Sequence, residues 1–76
     1  MSINLDIQNV LVLKRMYELR SVQLVADSLG KTSGSISKNL TKMKAQLDDP
    51  LFIQTKNGFE PTAFVEANIP HFEQIL

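Results

Sequence analysis

Apolar residues along this chain recur mainly three and four positions apart, the spacing of one face of an α-helix. Asp6 is a candidate N-cap. After it, Val10, Leu13 and Met16 or Tyr17 mark a first helix to about Leu19, with Ile7 and Leu11 extending its apolar surface. Ser21 offers a second N-cap, and Val22, Val25, Ala26 and Leu29 fall at i, i+3, i+4 and i+7 of a short amphipathic helix. Gly30 follows at once, where the left-handed residue that closes a helix is usually glycine. Thr32 caps a third helix over 33–47, whose apolar stripe is Ile36, Leu40, Met43 and Leu47. At about 100° per residue, Gly34, Lys38, Thr41, Lys42 and Ala45 take the opposite side, with Ser35 and Ser37 flanking it. That face carries no large apolar residue.

The pattern then changes. Asp48-Asp49-Pro50 ends the third helix, because proline disfavours helical geometry in the residue before it. Leu51 to Thr55 is short and rich in strand formers, Lys56-Asn57-Gly58 is a turn signal, and Phe59-Glu60-Pro61 returns from it, which predicts a small hairpin. Thr62 caps a fourth helix from Ala63 toward Leu76, which Pro70 is expected to kink or interrupt. The predicted order is helix, helix, turn, helix, hairpin, helix. This is a mainly α winged helix-turn-helix with a three-helix core, a two-stranded wing and a C-terminal linker helix. Residues 1–62 form the winged unit and 63–76 the linker.

Seventy-six residues suffice for one domain, close to the lower size limit for a fold held by a hydrophobic core alone. The chain has no cysteine, which removes disulfides and thiolate metal sites and fits a reducing compartment. His71 is the single histidine, so neither a two-histidine metal site nor a histidine dyad is available. No metal or cofactor is expected. The longest apolar run, Val10 to Leu13, is far too short to span a bilayer, and the N-terminus lacks a signal-peptide layout. A soluble, cytoplasmic protein without membrane contact is expected.

The net charge is zero, which argues against nucleic acid when taken over the whole chain. Its distribution argues the other way. Lys31, Lys38, Lys42 and Lys44 crowd one stretch without an acid, whereas Glu60, Glu66 and Glu73 occupy a tail without lysine or arginine. Such lysines can equally solvate a helix face. Two short helices joined by a tight turn, the second opening on small polar and basic residues, form a helix-turn-helix. Its second helix must bring its N-terminal half against base edges in the major groove, where bulky side chains would hold it away. Ser33, Gly34, Ser35 and Ser37 permit that approach, and the helix N-terminus itself favours phosphate. Lys38 and Lys42 can reach phosphates or a guanine edge, Thr41 shares their face, and Lys56 and Asn57 sit where a wing touches the backbone. Serines and Gly34 are also ordinary first-turn residues, Lys44 reads as a free surface lysine, and Lys56-Asn57 can be no more than a turn. Phe52, Phe59, Phe64 and Phe72 read as core or dimer contacts, not as stacking platforms for single strands.

The run Ser21–Met43 (SVQLVADSLGKTSGSISKNLTKM) resembles the helix-turn-helix of LysR-type transcriptional regulators. It shows the serine opening, the small-residue pair, the leucine, the serine or threonine cap and the apolar-Ser-basic triplet. Asp49-Pro50-Leu51-Phe52, Gly58 and Pro61-Thr62 continue the resemblance through the "PLF" strand, the wing glycine and the linker-helix cap. It implies base and phosphate contacts at Ser33, Gly34, Ser37 and Lys38, with Thr32 and Ser35 close by, and backbone contacts at Ser21 and Gln23. Two departures stand out. Ser33-Gly34 replaces the usual Gln-Pro or Gln-Ala, and Gln54 stands where the family usually has a wing arginine, which leaves Lys56 as the wing's cation. Pro70 matches a proline of the NodD- and LeuO-like subset.

The resemblance further implies sequence-specific binding of double-stranded DNA at a pseudo-palindromic operator. It implies a homodimer paired through the fourth helix, where Val65, Ile69, Phe72, Ile75 and Leu76 are too many apolar residues for a solvated tail. A small-molecule effector would act only through a C-terminal domain absent from this sequence. Two other classes of function remain. Catalysis would need a base–nucleophile pair or a metal cluster, and Asp48-Asp49, the one acid pair, sits at a helix end. A winged helix that binds protein instead of DNA is favoured by the neutral total charge and by Gln54, and disfavoured by the basic stripe.

Overall fold

Each helix boundary has a local chemical cause. The computed structural model describes residues 7–75, so the expected Asp6 cap and Leu76 lie outside the described residues. Helix α1 spans Ile7–Leu19, α2 Val22–Leu29 and α3 Ser33–Leu47. Ser21 is in extended geometry, and its hydroxyl accepts the Leu24 amide at 3.3 Å, the reciprocal of one unpaired donor in the first turn. Thr32 does the same for Ser35 at 3.1 Å. At the other end of α2, Gly30 adopts φ 66°, and the Lys31 amide donates back to the Ala26 carbonyl at 2.9 Å. The turn of the helix-turn-helix is thereby fixed from both sides.

Helix α3 ends earlier than Pro50 alone requires. Asp48 takes the left-handed conformation at φ 52°, and its amide and that of Asp49 both return to the Lys44 carbonyl. Leu51 is left-handed too, at φ 66°. The Asp49 carboxylate holds this irregular stretch: its Oδ1 accepts the Leu51 amide and the Thr62 hydroxyl, each at 2.8 Å. Thr62 in turn accepts the Val65 amide at 3.4 Å as the cap of the last helix. One carboxylate therefore ties the end of α3 to both the wing and the next helix.

The wing is an antiparallel pair, β1 Phe52–Thr55 and β2 Gly58–Pro61, in the register Phe52↔Pro61, Ile53↔Glu60, Gln54↔Phe59 and Thr55↔Gly58. The loop is only Lys56-Asn57. Gly58, at φ 105°, is already paired in β2. Thr55 closes the turn, its hydroxyl donating to the Gly58 carbonyl and accepting the Asn57 amide, both at 3.1 Å.

Helix α4 covers Ala63–Ile75 and continues through Pro70, so of the kink or interruption expected there the interruption does not occur; Pro70 is exposed. The helix packs on α1. Tyr17 of α1 donates its hydroxyl proton to Glu66 Oε2 at 3.0 Å, and the Arg20 guanidinium lies 5.0 Å from the Tyr17 ring centroid.

The core sits between α1 and the other elements. It joins Val10, Val12, Leu13 and Met16 to Val25 and Ala26 of α2, Ile36, Leu40 and Met43 of α3, Leu51 and Phe52, and Val65, Ile69 and Phe72 of α4. Because α1 packs against α2, α3 and α4, its buried arc is wider than a single stripe and includes Asn9 and Val12. Ile7, expected on that surface, is 65% exposed. Among the described residues, no buried side-chain nitrogen or oxygen lacks a hydrogen-bond partner.

Candidate nucleic-acid interface

The third helix turns its apolar stripe inward and leaves its polar side open. Gly34, Ser37, Lys38, Thr41, Lys42 and Ala45 are exposed, while Ser33 and Ser35 are half-buried at the helix start. No acidic residue lies in the first turn, so nothing opposes the partial positive charge of the helix N-terminus. The Thr41 hydroxyl donates to the Ser37 carbonyl at 3.0 Å, so its proton is already engaged within the helix. Thr32 and Ser21 serve first as caps. Gln23 is exposed, but its amide donates to Asp27 Oδ1 at 3.0 Å, a competing partner for any backbone contact.

Gln54, Lys56 and Asn57 are exposed on the wing, the last two forming its tip. Charge is distributed unevenly over this surface. The ion pair among the described residues is Arg15–Glu18 at 3.1 Å, within α1. Lys31, Lys38, Lys42, Lys44 and Lys56 have no acidic partner among the described residues. A row of uncompensated ammonium groups is costly in self-repulsion and is relieved by an anionic partner.

Between α3 and the wing lies a shallow cleft of about 130 Å³, lined by Ser37, Leu40, Thr41 and Lys44 of α3, by Phe52 and Phe59 of the wing, and by Met16 and Val22. It places Lys44, read from sequence as a free surface lysine, on one line with Ser37 and Thr41. The spacing i, i+4, i+7 carried that signal, but only the position of the wing shows that the line has a floor. Among the described residues no cluster of three metal-ligating side chains occurs, and no helix is long and apolar enough to cross a membrane.

The apolar excess of α4 has a different destination from the expected dimer contact. Val65 and Phe72 are essentially inaccessible and Ile69 nearly so, all three within the core of one chain. Leu76 and the side chain of Ile75 lie outside the described residues. A dimer through α4 must use the surface that remains, where Ala67, His71 and Gln74 are exposed and Phe64 and Asn68 half-buried.

Residues 7–66 match the family described as "Bacterial regulatory helix-turn-helix protein, lysR family". The chain belongs to the LysR family. Members are transcription factors, not enzymes, so the serines of α3 are not read as nucleophiles. Among curated relatives, this LysR-family chain is 41% identical to the HTH-type transcriptional regulator YidZ of Salmonella newport over 59 residues, which is 78% of this chain and 18% of that protein. It thus spans about a fifth of the length of such relatives. The crystal structure of a probable transcriptional regulator from Pseudomonas aeruginosa matches with a TM-score of 0.87 at 28% identity, over 93% of this chain and 24% of the other. The BenM_DBD/catB site 1 DNA complex matches with a TM-score of 0.86 at 13% identity, over 93% of this chain and 80% of the other, a likeness of fold.

Proposed function

We propose that this chain reads double-stranded DNA as the head of a bacterial transcriptional regulator, with α3 in the major groove. The observation that carries the proposal is the open face of α3. Small residues stand at its start, Lys38, Thr41 and Lys42 lie beyond them, and no acid occurs anywhere along the helix. Short side chains let the helix approach base edges, while unpaired lysines meet phosphate without first breaking an ion pair. The BenM domain, solved with DNA, uses the same fold.

In this reading Ser33, Gly34, Ser37 and Lys38 face bases or adjacent phosphates, Lys42 holds the backbone, and Lys56 and Asn57 touch it from the wing. Thr32, Ser35 and Ser21 contribute from the helix starts, Gln23 after releasing Asp27, and Gln54 more weakly than an arginine would. Two copies pair through the free face of α4, which sets two α3 helices about 34 Å apart on a pseudo-palindromic site. The effector acts on a C-terminal domain outside this sequence, a reading supported by the small share of YidZ that the chain spans. Pro70 alone supports placing the chain with the NodD- and LeuO-like subset.

Selection from random duplex DNA, followed by binding at several salt concentrations, tests this. Affinity should fall steeply with salt. Lys38→Ala should cost about 1–3 kcal/mol with relaxed preference at one base, while Lys42→Ala should weaken all sequences alike. A chain that retains no duplex at low salt is a protein-binding winged helix instead.

A further inference from the structure

The cleft between α3 and the wing joins Ser37, at the edge of the reading face, to an apolar floor and a lysine that base reading does not use. Its floor is apolar, formed by Leu40, Phe52 and Phe59, and its rim on α3 carries Ser37, Thr41 and Lys44. At about 130 Å³ it is well below the roughly 300 Å³ at which sites for drug-sized molecules begin. It suits one small group, anionic at one end and apolar at the other.

We propose that this cleft seats one sugar-phosphate unit of the DNA backbone, with the Lys44 ammonium and the Ser37 hydroxyl on the phosphate and the deoxyribose against Phe52 and Phe59. The assignment rests on the DNA-reading function proposed above and adds a second line of contact to it. Thr41 acts as a spacer, because its hydroxyl proton is held by the Ser37 carbonyl. Lys44 supplies the charge. It is exposed and makes no ion pair among the described residues, not even with Asp48 one turn further on. Six positions separate it from Lys38, which turns the two lysines to different edges of the helix. Lys38 and Lys42 therefore address one side of the groove, whereas Lys44 addresses the strand that passes between α3 and the wing. The adjoining cleft is what distinguishes Lys44 from an ordinary solvated lysine.

The test uses the full 76-residue chain and its selected duplex, with parent and Lys44→Ala compared by fluorescence anisotropy over a salt series. A second series carries one neutral methylphosphonate at each backbone position in turn. Lys44→Ala should reduce the slope of log affinity against log salt by roughly one, equally for all operator variants. One methylphosphonate position that weakens the parent should have no effect on Lys44→Ala, and its melting temperature should match the parent's. If the parent binds DNA while Lys44→Ala keeps the parent's slope and the same methylphosphonate pattern, the cleft assignment is overturned and the reading of α3 stands. A parent that binds no duplex overturns both.

Discussion

Replacing Asp49 by alanine removes the carboxylate that joins three elements, and its effect follows from two short bonds. Asp49 Oδ1 accepts the Leu51 amide and the Thr62 hydroxyl, each at 2.8 Å. Hydrogen bonds to a charged group contribute about 1.5–3 kcal/mol each when well shielded, and both of these are only partly buried, which favours the low end. Leu51 itself is fully buried, so its amide has no ready access to water once the carboxylate is gone. The same bond helps to hold Leu51 at φ 66°, a conformation that costs a non-glycine residue about 1 kcal/mol.

A loss of about 3 kcal/mol is expected for Asp49→Ala, to be set against a total stability of about 4–11 kcal/mol for a domain of this size. The melting temperature should fall by about 12–24 °C. Asp49→Asn keeps one acceptor oxygen and should lose only about 1 kcal/mol. Urea unfolding followed by circular dichroism measures both, and an unchanged denaturant slope would show that the compactness of the end states is unaltered. An unfolding free energy for Asp49→Ala within about 0.5 kcal/mol of the parent's would refute the view that this carboxylate organises the junction.

Gly30→Ala meets no steric obstacle, since nothing lies within 4 Å of an added Cβ, and its cost is the left-handed backbone alone. About 1 kcal/mol is expected, seen as a melting point lower by about 4–8 °C; a higher melting point would contradict it. Gln54→Arg adds a cation to an exposed strand position without altering the core. On DNA it should steepen the salt dependence by about 0.9 per phosphate neutralised and raise low-salt affinity, with stability unchanged within about 0.5 kcal/mol.

What could be read in the chain beforehand was what short-range chemistry decides. Ser21, Thr32 and Gly30 each act within four residues of themselves, so α2, α3 and their turn were legible from single positions. The hairpin was legible for the same reason, its strands and loop being contiguous. The breadth of the α1 core was not, because it depends on α2, α3 and α4 all packing on α1, which no local spacing states. The destination of Val65, Ile69 and Phe72 was hidden likewise: an apolar stripe states that something covers it, not whether the cover is α1 or a second chain. Asp48 lay outside the usual glycine rule, and its left-handed turn depends on bonds back to Lys44. On the candidate interface, the open face of α3 followed from periodicity, whereas the setting of Lys44 required the folded wing.

Val65, Ile69 and Phe72 give α4 a mechanical character. Lifting that helix from α1 would return three apolar side chains to water, at about 1.5–3 kcal/mol each, a large part of what holds the domain together. The joint is stiff. A twist applied along α4 would therefore turn the domain as one body instead of bending at the junction, and in the proposed dimer each α3 would be re-aimed by leverage while keeping its own shape.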